Sequence, residues 1–256
     1  MIQCGIDVGS VNTKVVLYDR ERQAVRCRRV EPTGLKPRET AERVFQTCLA
    51  EVGLSAGELG AVVATGYARH AAGFATADVT EIRAAAAGIR SWHPGCRTVI
   101  DIGGQDSKVI ALSDSGKVRE FVMNDRCAAG TGNFLAVLAR ALGVPLEKFG
   151  EMDSVSRRPV PVSSLCVVMA ESEILSLVAA DTPVEDIIAG LHDALARRVA
   201  NLAARLEVRP EIVFTGGVAQ NPGMKRALEQ ALGEPVAVAQ EPLLAAALGA
   251  ALADVG

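Results

Sequence analysis

Aromatic residues are scarce in this chain. One Trp, two Tyr and six Phe make up 4% of 256 residues, whereas the hydrophobic share is 49%. A core drawn from this composition is aliphatic, and the length suffices for one large or two medium domains. A dominant charge is also lacking. Net charge is −3 with both signs spread along the chain, which gives no electrostatic basis for binding nucleic acid. No apolar run reaches the ~18 residues that a membrane helix needs. The first residues make no charged leader with an apolar core, because Asp7 interrupts them, so no membrane partner is expected and the cytoplasm is the expected location. In that reducing compartment the six cysteines are no disulfide framework.

Strand and helix signals alternate throughout, which implies an α/β fold. Ile2 to Val8 and Lys14 to Tyr18 read as strands around a Gly9-Ser10 turn, and Ala24 to Val30 as a third strand. Ala41, Val44, Phe45, Cys48, Leu49 and Val52 recur at helical spacing after Pro37, and Gly53 closes that helix. The opening pattern then returns. Ile6-Asp7-Val8-Gly9-Ser10 overlies Ile100-Asp101-Ile102-Gly103-Gly104 at an offset of 94 residues, and Thr13-Lys14-Val15-Val16 overlies Ser107-Lys108-Val109-Ile110 without a gap. Such register implies a duplicated subdomain. The expected division is 1–96 plus 243–256 for the first subdomain and 97–242 for the second.

Each repeat places glycines where a strand ends in a tight turn, so that a phosphate can approach backbone N–H groups. Candidate nucleotide-binding residues are Gly9, Ser10, Val11, Asn12, Thr13 and Lys14 in the first turn, and Gly103 and Gly104 in the second. Asp7 and Asp101 can hold Mg²⁺ or its waters. Lys14 adds a point charge, and Gln105 can orient a water for attack on a γ-phosphate. A third strand-to-turn signal, Thr215-Gly216-Gly217-Val218-Ala219-Gln220-Asn221, suits the ribose and adenine of ATP or ADP. None of the three is the G-x-x-x-x-G-K-[ST] loop or the dinucleotide G-x-G-x-x-G.

Two cysteines stand apart. Cys127 opens the glycine-rich stretch Ala128-Ala129-Gly130-Thr131-Gly132 ahead of a helical run, and Cys166 precedes another. At helix starts the peptide dipoles favour a thiolate and any anionic centre that it holds. Two thiolates do not close a metal site, but a homodimer supplies four, a set that suits either [4Fe–4S] or zinc. Cys4, Cys27 and Cys48 are expected in the core, and Cys96, in a Pro-Gly loop, at the surface. His192, off the leucine stripe of its helix, is expected on a solvated face. His70 and His93 have no ligand-type neighbours in sequence. Arg26-Cys27-Arg28-Arg29 reads as an exposed hairpin. Glu171 and Glu173 suit either a site near Cys166 or an acidic first helical turn.

The three glycine turns resemble the two phosphate motifs and the adenosine motif of actin, sugar kinases, acetate kinase and heat-shock chaperones. That likeness implies two actin/hexokinase-like (ribonuclease-H-like) subdomains with a nucleotide cleft between them. Nearly the whole chain is similar to the ATP-dependent activators of 2-hydroxyacyl-CoA dehydratases and the ATPase subunits of benzoyl-CoA reductase, the BadF/BadG/BcrA/BcrD type. The specific stretches are Thr65-Gly66-Tyr67-Ala68-Arg69, Asp101 to Asp106, Met123 to Gly132, Cys166 with Ala170-Glu171-Ser172-Glu173, and Thr215 to Asn221. Ala68 stands where glycine is common. The resemblance favours iron. It implies a homodimer with one [4Fe–4S] cluster held by Cys127 and Cys166 of both chains, ATP hydrolysis with Mg²⁺, ferredoxin or flavodoxin as electron donor, and an iron–sulfur acyl-CoA dehydratase or reductase as partner. Domain closure on ATP would alter the setting of the cluster and drive the electron to that partner. Other readings are a small-molecule kinase with Asp101 or Asp106 as base, a non-catalytic ATP-binding regulator, and the ATPase subunit of a benzoyl-CoA reductase or double-cubane protein.

Overall fold

The computed structural model describes residues 1–163 and 166–254. The expected extended run Pro159 to Ser164 therefore ends, at Ser164, outside the described residues. Two compact units divide the chain: Met1–Cys96 with Leu112–Arg119 and Ala239–Gly256, and Arg97–Ala111 with Glu120–Val238.

The first unit contains strands β1 (Ile2–Val8), β2 (Asn12–Asp19), β3 (Ala24–Pro32), β4 (Ala61–Thr65) and β5 (Ala77–Asp78), in the order β3-β2-β1-β4-β5. β1 and β2 are antiparallel and β1 and β4 parallel. Helix α1 (Pro37–Val52) covers one face with the apolar stripe read from sequence, so that Val44, Phe45, Cys48 and Leu49 pack on Cys4, Ile6, Val15 and Leu17. Gly53 ends it in the left-handed conformation, φ 68°, which costs glycine no Cβ strain. Helix α2 (Glu81–Trp92) lies against the last helix, Ala245–Ala251. These two touch backbone to backbone, since a Cβ at Gly88 or at Gly249 would overlap the carbonyl of Ala245 or Ala84.

The second unit repeats the sheet. Strands β6 (Thr98–Ile102), β7 (Ser107–Leu112), β8 (Val118–Asn124), β9 (Ile212–Thr215) and β10 (Val236–Val238) run in the order β10-β9-β6-β7-β8. The equivalence extends to register: Asp7 pairs with Lys14 and with Thr65, and Asp101 with Lys108 and with Thr215. Between β8 and β9 the chain inserts α3 (Gly132–Leu142), α4 (Phe149–Val155), α5 (Val167–Ala179) and α6 (Val184–Ala203). Helix α7 (Pro222–Leu232) joins β9 to β10, and the helix Ala245–Ala251 is α8. Phe134, Phe149 and Phe214 sit fully buried among Ile100, Leu138, Ile187, Leu191 and Leu195. Each such side chain contributes roughly 1.5–3 kcal/mol by leaving water. The seven-residue α4 was not legible in the sequence, because two turns carry too few positions to show a period.

Candidate functional site

The first glycine turn is built by its own hydrogen bonds. Gly9 N–H donates to the Asn12 carbonyl at 3.1 Å, Thr33 Oγ1 donates to the Gly9 carbonyl at 2.8 Å, and Thr13 Oγ1 lies 3.0 Å from Thr33 Oγ1. The Thr13 side chain thus points inward, whereas Ser10 and Asn12 are half-buried and Val11 is exposed. Lys14 Nζ donates to Asp7 Oδ2 at 2.8 Å, and both groups are largely shielded from water. In the second turn Gly103 N–H donates to the Asp106 carbonyl at 2.9 Å, and Lys108 Nζ donates to Asp106 Oδ1 at 2.6 Å. The repeat places Asp106 where the first turn has Asn12, which gives the second lysine an added carboxylate. Gln105 is exposed at the tip.

Strand β9 ends in the third turn. Gly216 has φ 86°, and a Cβ there would collide with Asp101 Oδ1 and with the Ile102 carbonyl group, whose carbon would be 2.7 Å away. β4 does the same in the first unit. Gly66 has φ 96°, and its Cβ would collide with Asp7 Oδ1 and lie 2.6 Å from the Val8 carbonyl oxygen. Each aspartate is thus seated by the glycine that follows the neighbouring parallel strand. Gly66 is the site residue that sequence reasoning did not select, because Thr65-Gly66 and Thr215-Gly216 are 150 residues apart, outside the 94-residue repeat. Thr65 Oγ1 is buried beside this seat with no hydrogen-bond partner among the described residues.

The start of α3 ties to the second turn. Gly132 N–H donates to the Gly103 carbonyl at 2.8 Å and Asn133 N–H to the Gly104 carbonyl at 3.0 Å. A Cβ at Gly132 would be 2.9 Å from both the Gly103 oxygen and Val218 Cγ2. Gly103, Gly104, Gly132 and the third turn are therefore one packed cluster within the second unit. Gly130 is buried, whereas Gly217 and Gln220 are exposed.

Cys127 lies in the loop after β8. Asn124 brackets it, donating from Nδ2 to the Cys127 carbonyl at 2.8 Å and accepting the Cys127 N–H at 3.3 Å. A cavity of about 300 Å³ opens beside it, with Ser107, Arg198 and Arg205 also in its wall. The Arg198 guanidinium sits 5.0 Å over the Phe134 ring, a favourable place for a cation. Burial lowers its pKa, and the field of Cys127 opposes that shift. Cys166 caps the N-terminus of α5 with extended backbone. Glu173 Oε1 accepts from both the N–H and the Oγ of Ser163 at 3.0 Å. Neither Glu171 nor Glu173 lies in the first turn of α5, so the acidic-first-turn explanation does not apply.

Cys127 and Cys166 are exposed, whereas Cys4, Cys27, Cys48 and Cys96 are buried. Burial pushes the thiols of Cys4, Cys27 and Cys48 well up. Two expectations need correction. Cys96 is wholly buried, because its loop folds in and Arg90 Nη1 bonds its carbonyl at 3.3 Å. His192 is wholly buried too, because α6 packs on α4 and α7 with a face beyond its leucine stripe. Arg26, Arg28 and Arg29 are exposed as expected, with Arg29 paired to Glu51.

A model of the BadF/BadG/BcrA/BcrD ATPase family matches residues 4–253. The chain belongs to that family. It is 41% identical over 254 residues to the activator of lactoyl-CoA dehydratase from Anaerotignum propionicum, covering 98% of this chain and 96% of the relative. It is 39% identical over 249 residues to the (R)-2-hydroxyglutaryl-CoA dehydratase activating ATPase of Acidaminococcus fermentans, covering 97% and 95%. Among solved structures, the 2-hydroxyisocaproyl-CoA dehydratase activator of Clostridium difficile with bound ADPNP superimposes with a TM-score of 0.93 at 37% identity, covering 98% of this chain and 93% of that one. The fold is thus the actin/hexokinase-like α/β fold. No helix among the described residues is long and apolar enough to cross a membrane.

The seated carboxylates Asp7 and Asp101 are hard oxygen donors of the kind that Mg²⁺ takes with phosphate. A ligand oxygen or metal-bound water would satisfy the orphaned Thr65 hydroxyl. No group of three or more His, Cys, Asp or Glu poised for a metal occurs among the described residues. Cys127 and Cys166 are exposed thiols, the donor type that an iron–sulfur centre takes, and two of them would make half of a four-thiolate set.

Proposed function

We propose that this protein is a homodimeric, ATP-hydrolysing activator that delivers low-potential electrons to an iron–sulfur acyl-CoA dehydratase or reductase. The observation that carries the reading is the selective exposure of Cys127 and Cys166 in a chain of this ATPase family. Four of the six thiols are buried in aliphatic cores, and the two at helix starts are not. Helix α5 adds support. It exposes Val168, Met169, Leu175 and Val178 immediately after Cys166, an apolar face suited to a second copy of the chain.

Each residue then has a stated task. Cys127 and Cys166 of both subunits hold one [4Fe–4S] cluster, which when bound supplies a one-electron carrier fed by ferredoxin or flavodoxin. Gly9 to Lys14, Gly103 and Gly104 receive the phosphates of ATP through backbone N–H groups. Asp7 and Asp101 bind Mg²⁺ or its waters, and Lys14 holds the Asp7 carboxylate in place through their 2.8 Å ion pair. Gln105 orients the attacking water. Gly216, Gly217, Gln220 and Asn221 shape the adenosine contact, and Gly130 and Gly132 let the start of α3 approach the second turn closely.

The test is anaerobic purification followed by iron, sulfide and mass analysis. Expected are a brown dimer with about two iron atoms per chain and an ATPase rate that responds to reductant. Cys127→Ser and Cys166→Ser should each lose the iron while retaining the fold. A colourless monomer, or a Cys127→Ser protein that keeps both its cluster and its partner-activating activity, would refute the reading.

A further inference from the structure

A buried polar chain stands behind the third glycine turn, and of its members only Asn221 has a role above. Its members are Asp153 on α4, His192 on α6 and Asn221 at the start of α7. His192 Nδ1 lies 3.0 Å from Asp153 Oδ1, and His192 Nε2 lies 2.9 Å from Asn221 Nδ2. His192 and Asp153 are 0% and 6% exposed. Arg226 closes the far end, with Nε 2.9 Å from Asp153 Oδ2 and Nη2 2.8 Å from Oδ1, and it also reaches Asp193 at 3.1 Å. Burial alone would raise the Asp153 pKa, but hydrogen bonds from His192 and Arg226 outweigh it and hold the carboxyl well below the usual range.

A backbone group fixes the direction of every bond in this chain. Gly223 N–H can only donate, and its acceptor is Asn221 Oδ1 at 2.9 Å. The Asn221 amide nitrogen is therefore the atom that faces His192. It donates, so Nε2 must accept, and the ring proton belongs on Nδ1, donated to Asp153. Gly223 packs directly against the ring. A Cβ at Gly223 would lie 2.6 Å from His192 Nδ1 and 2.8 Å from Asp153 Cγ. Asn221 N–H also donates to the Val218 carbonyl at 3.0 Å, which makes the amide continuous with the turn Gly216–Asn221.

We infer that His192 is a positioning residue for nucleotide: by accepting from Asn221 Nδ2 it locks one orientation of that amide, and with it the form of the adenosine turn. The inference rests on the nucleotide role proposed above for Asn221. Nothing in it needs His192 to touch the nucleotide.

The experiment compares the intact wild type with His192→Leu, which keeps apolar bulk but cannot accept, and His192→Gln, which restores a side-chain acceptor. MgADP affinity is measured by calorimetry, and ATP hydrolysis is split into KM and kcat. The Leu variant should lose roughly 5- to 10-fold in ADP affinity, with KM raised more than kcat is lowered, and Gln should recover most of it. If the Leu variant does not fold, His192→Phe, a ring of similar size with no acceptor, takes its place and should show the same loss. A folded Leu or Phe variant with wild-type affinity, or a loss in Gln equal to that in Leu or Phe, would overturn the inference alone. A wild type that binds no nucleotide would overturn the nucleotide reading and this inference with it.

Discussion

Gly66→Ala tests the seating of Asp7 directly. The backbone at Gly66 has φ 96°, where an L-residue pays roughly 1–2 kcal/mol in local strain. The new Cβ would also overlap Asp7 Oδ1 and lie 2.6 Å from the Val8 carbonyl oxygen. Neither atom yields easily. Asp7 is held by Lys14, and Val8 is the buried last residue of β1. Overpacking of this kind adds about 1–3 kcal/mol. The sum, ~2–5 kcal/mol, corresponds to a fall in Tm of roughly 4–20 °C for units of this size. Because Asp7 must move, ATP hydrolysis should fall by a larger factor than the fraction unfolded explains. Gly57→Ala is the control: nothing lies within 4 Å of its Cβ and its φ is ordinary, so a change within about 0.5 kcal/mol is expected. Gly216→Ala should reproduce the Gly66 result through Asp101 in the second unit. Differential scanning calorimetry with a phosphate-release assay reads both quantities. A Gly66→Ala protein with the wild-type Tm and turnover would show that the glycine seat has no role.

Thiol chemistry separates the two classes of cysteine. Iodoacetamide under native, iron-free conditions should modify Cys127 and Cys166 within minutes and leave Cys4, Cys27, Cys48 and Cys96 unmodified until denaturant is added, as peptide mass spectrometry would show. Early labelling of Cys48 would contradict the core. Asp153→Asn removes one of the two carboxylates on Arg226, which is partly exposed and keeps Asp193, so a cost of about 1–3 kcal/mol is expected at pH 7. The folded pKa of Asp153 lies below the unfolded value of about 3.9, so its stabilisation is complete above that value and drains away as pH falls toward the folded one. The gap between wild-type and Asp153→Asn urea midpoints should therefore narrow below about pH 4, and a gap constant with pH would refute the assignment.

Much of the architecture was written locally. The 94-residue repeat specified two strand–turn–strand units, and both sheets realise it down to the pairings of Asp7 with Lys14 and of Asp101 with Lys108. Helical spacing from Ala41 to Val52 named the face that α1 buries, and Gly53 named its end. The contexts of Cys127 and Cys166 singled out the two thiols that prove to be exposed. These features rest on neighbours a few residues away, for which periodicity and turn chemistry are sufficient.

Other features depended on partners far along the chain. The leucine stripe of α6 identifies one buried face, but α4 and α7 bury His192 on another, and neither helix is near it in sequence. The Cys96 loop is covered although Pro and Gly mark it as a turn. Gly66 and Gly216 serve the same purpose at positions that the repeat does not align, because the second unit inserts helices between the strands involved. A residue's own neighbours fix its conformation, whereas burial and partnership depend on what the rest of the fold brings against it, and for His192 and the two glycines only the folded chain supplies that.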